Sequence, residues 1–285
     1  VSSLAHFPIL VATRFSFLGQ SGWKSDVSRD AALLFHPDRL RQRLALFAAI
    51  NLPSLAGQGD AGFHHVILTA SDLPDWAMAD LAAACLAAYG DPARFTILAR
   101  PPAPARRPLR QFLTERHAGT PVVQVVLDDD DGLANDFVAT LREDLAETGA
   151  QRPDLQDNLP FFLSYPVGYG LSLRTASDAP AALYLHRYPY INAGLTLIGT
   201  PGGKNIFAID HLAAPRKYGC RLLRSRAMFL RGLHDFNDSR VAPGERWQQV
   251  ADWRAEPGLA QRFPCLFAPD APWTIPDPAP TDDMA

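Results

Sequence analysis

Apolar residues fall into alternating short runs and helical stripes through the first half of the chain. Residues 7–15 form a nearly unbroken apolar run that closes on Arg14 and Ser16, the form of a strand buried on both faces. After a polar loop holding Trp23 and Lys24, Asp38 precedes Leu40, Leu44 and Phe47 at i, i+4 and i+7. That spacing predicts a helix, which Leu52-Pro53-Ser54-Leu55 extends or closes. Residues 63–69 read as a second strand. Ser71-Asp72-Leu73-Pro74 reads as a helix start, with a capping side chain and Pro in the first turn. This helix runs through Leu81 and Cys85 to Tyr89, with Gly90 as terminator. Residues 94–98 predict a third strand, the Pro-rich stretch 101–108 a surface connection, and 109–117 a short helix. Val122 to Leu127 is a fourth apolar strand, and Phe137, Leu141 and Leu145 form the face of a helix ending before Gly149.

Strand and helix thus alternate four times within residues 1–150, which implies an α/β fold with a mostly parallel sheet flanked by helices. Such sheets bind ligands outside the carboxyl ends of their strands. Arg14, Asp60, Asp72 and the run Asp128–Asp131 are therefore expected on one rim. The second half changes character: residues 161–173 and 182–198 are aromatic and β-branched, with turns between, and predict antiparallel strands. Residues 205–211 read as another short strand. A basic segment follows with Arg221, Arg224, Arg226 and Arg231, up to His234. Beyond Pro257 the periodicity fades, and 271–285 is expected to be a disordered tail.

Composition narrows the class. The chain has 285 residues, 47% of them hydrophobic and 20% charged, enough to build a substantial core. A net charge of −3 offers no general attraction to nucleic acid or to an anionic membrane. The three cysteines are widely spaced, with no metal-ligand or disulfide pattern, as in a reducing compartment. No stretch is long and apolar enough to predict a membrane span, and the first residues lack the pattern of a signal peptide. The expectation is a cytoplasmic protein, with peripheral contact at the inner membrane face where its acceptor is lipid-linked.

The strongest chemical signal is Asp128-Asp129-Asp130-Asp131, four carboxylates delivered by an apolar strand to the mouth of the sheet. Adjacent carboxylates repel, and each loses hydration on burial, so a positive partner is required. The spacing permits an Asp-x-Asp arrangement on one hard divalent cation, Mg²⁺ or Mn²⁺. An EF-hand is excluded, because counting from Asp128 the sixth position is Leu133 and the twelfth Ala139. No GxxxxGK[ST] or GxGxxG loop is present, so phosphate charge falls to the metal and to arginines. His64 and His65 lie within a strand, point to opposite faces and read as structural.

Four stretches together resemble the bacterial putative rhamnosyl transferases: Thr13-Arg14-Phe15-Ser16, Leu52-Pro53-Ser54-Leu55 with Gln58-x-Asp60, Leu68-x-x-Ser71-x-Leu73-Pro74, and Leu127-Asp128-Asp129-Asp130-Asp131. The resemblance runs from about Pro8 to Asn237 and implies a GT-A-like nucleotide-diphospho-sugar transferase fold. It implies transfer of a sugar, rhamnose from dTDP-rhamnose or another sugar from a UDP donor, to a glycan or lipid-linked acceptor. Residues 1–150 would then bind the nucleotide sugar, and 151–270 the acceptor. Carried over, Asp128 and Asp130 contact metal and donor diphosphate while Asp131 shapes the site; Asp129 and Asp131 are the alternative pair. Arg14, Ser16 and Asp60 lie near the nucleotide, with Arg14 alternatively a structural partner of the acidic run. His234 corresponds to a late histidine of the metal shell, or alternatively is an ordinary surface or core histidine; Arg224, Arg226 and Arg231 contact the diphosphate or an anionic acceptor, or alternatively form a solvated basic helix face. Tyr184, Tyr188 and Tyr190 stack on sugar rings or pack in the sheet. An inverting transfer also needs a base for the acceptor proton, for which Asp210 and Asp157 are the candidates. Two other classes compete with this expectation: a Mg²⁺-dependent phosphohydrolase or nucleotidyltransferase using the same acidic loop, and a noncatalytic carbohydrate- or cation-binding module.

Overall fold

A computed structural model describes residues 4–19, 29–173, 181–223, 226–234, 243–244, 247–269 and 271. The expected tail beyond Ala271, Arg224, and the 20–28 loop with Trp23 and Lys24 lie outside the described residues, while Ala271 itself is buried in an apolar core. Strands β1 (Ile9–Arg14), β2 (Phe63–Ala70), β3 (Phe95–Arg100) and β4 (Val122–Val126) are parallel neighbours, as the alternation predicts. Strands β6 (Phe161–Ser164), β9 (Thr196–Gly199) and β10 (Gly219–Leu222) complete a seven-stranded sheet in the order β10-β6-β9-β4-β1-β2-β3. Only β9 runs against the rest. The fold is α/β with a mostly parallel central sheet.

Both faces of this sheet are covered, which is why its strands read as continuous apolar runs. Odd-numbered residues such as Ile9, Val11, Val123 and Val125 join one core. It also takes residues of α4 (Asp75–Tyr89) and α6 (Phe137–Gln151). Even-numbered residues Leu10, Ala12, Val122 and Val126 face α5 (Arg106–His117) in a second core. A five-stranded sheet, β12-β8-β7-β11-β5, lies beyond the acidic run. Its strands are β5 (Asp131–Leu133), β7 (Val167–Ser172), β8 (Ala182–Arg187), β11 (Phe229–Leu233) and β12 (Gln248–Val250). A third core of Leu171, Leu183, Leu230, Trp253 and Phe263 packs on one face of it. The first 150 residues and the remainder therefore share both sheets: β4 pairs with β9, and β5 with β11.

Several boundaries differ from the sequence reading, each for a local reason. Ser71 does not cap α4; its Oγ donates to Asp72 Oδ1, and Pro74 occupies the cap position. Gly90 does end that helix, at φ +65, where a side chain would be strained. Helix α5 begins at Arg106, because Pro108 in a first turn forfeits no intrahelical bond. Helix α6 runs on past Gly149 to Gln151. Residues 205–211 form no strand. Gln124, buried in β4, accepts from the Ile206 amide, and Asn205 donates to the Arg106 carbonyl, which bends Ile206–Ala208 into a 3₁₀ turn. His64 and His65 do take opposite faces: His64 meets Thr96 Oγ1 at 2.9 Å, and His65 lies between Thr13 Oγ1 and Tyr89 OH, each 2.9 Å away.

His65 is wholly buried, and burial drives its pKa down to about 3. The unfolded chain takes up a proton at this residue from about pH 6.5 downward that the folded chain refuses until about pH 3, so stability falls as pH drops through that window. Urea denaturation should show His65→Gln losing roughly 2 kcal/mol less than wild type between about pH 6 and pH 4. Equal losses would show that His65 takes no part in the acid response.

Candidate active site

The first contact of the site follows from strand register. Parallel pairing sets Ile9 against Val123 and Ala12 against Val126, so continuing each strand by two residues brings Arg14 opposite Asp128. Arg14 Nη2 donates to Asp128 Oδ1 at 2.8 Å, with Arg14 only 5% exposed. The guanidinium also lies over the Phe207 ring, 5.2 Å from its centroid. Ser16, two residues on, adopts the left-handed φ of +43, uncommon for a residue with a side chain. It is buried, and its Oγ accepts from Arg39 Nη1 at 3.2 Å.

A long helix clamps the acidic turn from the other side. It consists of α2 (Pro37–Leu46), a π-helical turn at Phe47–Asn51 and α3 (Leu52–Ala56). Arg43 stands on its apolar stripe between Leu40 and Phe47 and is 3% exposed. Its Nε and Nη2 reach both carboxylate oxygens of Asp129, which is fully buried, while its Nη1 donates to Asp130 Oδ2 at 3.1 Å. From the π turn, Asn51 donates to the Asp128 carbonyl at 3.0 Å. Gly132 lets the helix approach this closely, since a Cβ there would come within 3.1 Å of Ile50 Cγ2. Gln58 closes the frame: its Nε2 donates to the Ser54 and Ala134 carbonyls, and its Oε1 accepts from Val138 N.

The four aspartates consequently have four different environments. Asp128 is held by Arg14, and Asp129 is sealed against Arg43. Asp130 Oδ2 is shared by Arg43 and His234 Nε2, the latter at 2.8 Å. Burial by itself would raise the Asp130 carboxyl, but Arg43 and His234 override it and hold it well below the usual carboxylate range. Asp131 Oδ1 accepts from Gly232 N at 3.0 Å; burial and the charge of Asp130 push its carboxyl well above that range, against the pull of Arg231. Arginines thus supply the positive charge that the sequence asked of a cation. Asp128, Asp130, Asp131 and His234 do not converge as the expected metal set. Among the described residues, no group of three or more His, Cys, Asp or Glu is placed to hold a metal ion. The described donor set therefore does not fit a three-ligand centre.

Other expected members of the site divide between two rims. Asp60 precedes β2 instead of following it, and accepts from Arg142 of α6 at 2.6 Å on the far rim. Asp157 is exposed in a 3₁₀ turn ahead of β6, also at the amino end of the parallel strands. Asp210 does share the acidic rim. Its neighbour His211 meets the Tyr190 carbonyl at 2.7 Å, and Tyr190 N donates to Ser164 at the carboxyl end of β6. The Asp210 carboxylate is exposed and accepts from Leu212 N. The basic segment disperses: Arg221 pairs with Glu147, Arg226 with Asp136, and Arg231 alone of the described three acts on Asp131. Arg43 and Asn51 were missed. An arginine at the i+3 position of an apolar stripe was the available signal for the first.

Removing Arg43 would strand the Asp129 charge inside the protein. Arg43→Ala should cost about 3–5 kcal/mol in urea denaturation, and Asp129→Ala added to it should recover part of that loss. Strict additivity of the two would show that the pair is not coupled.

The S. aureus TarS fragment 1-349 is similar over 79% of this chain and 60% of its own, at 10% identity and a TM-score of 0.37. A crystal structure described as a putative nucleotide-diphospho-sugar transferase from Desulfovibrio desulfuricans G20 is matched over 95% of this chain and 96% of its own, at 12% identity and a TM-score of 0.37. UDP-glucose pyrophosphorylase complexed with UDP-glucose is matched over 68% and 76%, at 10% identity and a TM-score of 0.31. This chain spans 60% of the TarS fragment's length. No curated protein matches. The family described as "Putative rhamnosyl transferase" matches residues 8–246, which takes in the arginine of β1, the clamping helix, the acidic turn and His234. The chain belongs to the family described as "Putative rhamnosyl transferase".

Proposed function

We propose that the protein transfers a sugar, with rhamnose the first candidate, from a nucleoside diphosphate donor to a glycan or lipid-linked acceptor. One observation carries the reading: in a chain of this family, Arg14 and the acidic turn meet at the carboxyl ends of β1 and β4. That rim is where open α/β sheets bind their ligands. dTDP-rhamnose and UDP-sugars are the donors to test.

Transfer breaks the bond from the anomeric carbon to the diphosphate through an oxocarbenium-like state. Negative charge grows on the leaving diphosphate, and cations at the rim stabilise it. Arg14 and Arg231 are the side chains suited to that work. Asp128 offers carboxylate oxygen to ribose or sugar hydroxyls, while Asp129, sealed against Arg43, serves only to fix the turn. Asp210, exposed on the same rim, is the candidate that takes the acceptor's proton. Asp157 and Asp60, on the far rim, have no part in it. Where Mn²⁺ or Mg²⁺ binds, Asp130 and His234, which already touch, would hold it, and it would add positive charge beside the leaving diphosphate. No helix among the described residues is long and apolar enough to cross a membrane, so a lipid-linked acceptor would be met from the surface.

A thermal-shift panel of dTDP, UDP and their sugar nucleotides, run with and without Mn²⁺, tests the donor. Stabilisation by a nucleoside diphosphate in either arm supports transfer. Absence of any nucleotide response overturns it. A shift confined to the Mn²⁺ arm would show that a cation rearranges the Asp130–His234 pair, which Asp130→Asn should then abolish. With donor hydrolysis as readout, Arg14→Ala should lower turnover about 100-fold by removing charge stabilisation from the leaving group. Asp157→Asn should match wild type. A loss in Asp157→Asn as large as that in Arg14→Ala would move the active rim to the other end of the sheet.

A further inference from the structure

One face of the second sheet carries groups that the transfer chemistry above does not use. Register places Tyr184 and His186 of β8 opposite Gly170 and Gly168 of β7, and those opposite Arg231 and Phe229 of β11. Arg231 in turn faces Asp131 of β5. Asp131, Arg231, Gly170 and Tyr184 therefore form one row on one face, because residues paired across strands point the same way. The opposite face, with Leu171, Leu183 and Leu230, is packed into the third core.

Aromatic rings line the face that starts at Asp131. Trp247 stacks on His186 with centroids 3.7 Å apart and planes 19° from parallel. Tyr188 stacks on His186 from beside it at 5.7 Å, and Tyr184 meets the Trp247 ring edge-on at 6.2 Å. Glycine at 170 makes this possible, since a Cβ there would collide with the Trp247 ring. Tyr184, Tyr188 and Trp247 are all half-buried, so these large rings are only partly covered. His186, by contrast, is 7% exposed, and its Nδ1 has no hydrogen-bond partner among the described residues. Burial, aided by the Arg231 charge, pulls its pKa down to about 4. The imidazole is thus neutral near pH 7 and offers one nitrogen as donor and one as acceptor.

We propose that this face is a carbohydrate-binding platform, on which the pyranose rings of the acceptor stack against Trp247 and Tyr184 while a hydroxyl satisfies His186 Nδ1. A pyranose has an apolar face of C–H groups and an edge of hydroxyls, which matches flat rings beside a buried unpaired polar atom. The strand spacing of about 4.8 Å puts Gly170, and the indole over it, roughly 10 Å from Asp131. A sugar chain on the platform would therefore lead into the acidic rim. That the bound sugar is the acceptor rests on the transfer reading; that the face binds carbohydrate does not.

The test uses the full chain on an array of bacterial oligosaccharides ending in rhamnose, glucose, galactose or N-acetylglucosamine. Wild type, Trp247→Ala, Trp247→Phe and Tyr184→Ala are compared, each with its thermal shift by dTDP and UDP as a control for the rim. Wild type should retain at least one oligosaccharide. Trp247→Ala should weaken that binding roughly ten-fold or more, and Trp247→Phe should stay within about three-fold of wild type. Nucleotide shifts should be the same in all four proteins. If Trp247→Ala does not fold, Tyr184→Ala, expected to weaken binding in the same direction, carries the test. Wild-type binding to no oligosaccharide overturns the platform, as does unchanged binding in the alanine variants. Competition of the bound oligosaccharide by UDP or dTDP alone would overturn it too, by assigning the rings to the donor base. Oligosaccharide binding that depends on Trp247 without any nucleotide response would uphold the platform and remove the transfer reading.

Discussion

The buried guanidinium of Arg43 is the interaction on which the rest of this structure depends. Four consecutive aspartates at a strand end are an electrostatic liability, and three of them are drawn inside the protein: Asp131, and the pair Asp129 and Asp130. Arg43 engages Asp129 and Asp130 at once, with a planar fork that suits carboxylates. Its place on the apolar stripe of α2 makes that helix a fixed neighbour of the turn. The π-helical turn that follows brings Asn51 to the Asp128 carbonyl, so one continuous helical segment holds the acidic run at two points. Arg14 holds it at a third, from the opposite side.

Once the turn is fixed, the second sheet is fixed with it. Asp131 is the last residue of the acidic run and the first of β5, so the run is the hinge between the two sheets. On one side lies the parallel sheet with the carboxyl rim of its strands; on the other lies the aromatic face of β8 with Trp247. Under the proposed transfer, this arrangement would separate the two substrates in space. A donor would meet the rim near Arg14 and Asp128, an acceptor would approach along the rings, and the two would meet at Asp131. The burial that raises Asp131 and the ion pairs that lower Asp130 follow from that same crowding of carboxylates.

Much of the frame was legible in the residues. Nearly unbroken apolar runs at β1 and β4 marked strands covered on both faces, and the stripe of Phe137, Leu141 and Leu145 marked α6. Even the Arg14–Asp128 contact follows once β1 and β4 are taken as parallel neighbours. Misreadings arose where a side chain competed with local propensity. Residues 205–211 have strand composition, yet Gln124 and Asn205 bend them into a turn through bonds to distant partners. Asp60 was expected on the rim, yet it precedes β2, and a residue just before a parallel strand lies at the end opposite the carboxyl rim.

The chain by itself determined the alternation of strands and helices, the apolar faces they bury, and the delivery of four carboxylates to one strand end. These are local properties, set by the period of the pattern and by the chemistry of neighbouring residues. Tertiary structure alone decided which charge answers those carboxylates. An arginine 86 residues upstream, at a helix position that looks merely amphipathic, seals Asp129. His234, 104 residues downstream, closes on Asp130. Burial and the pairing of charges depend on what lies across space, and no spacing along the chain encodes that distance.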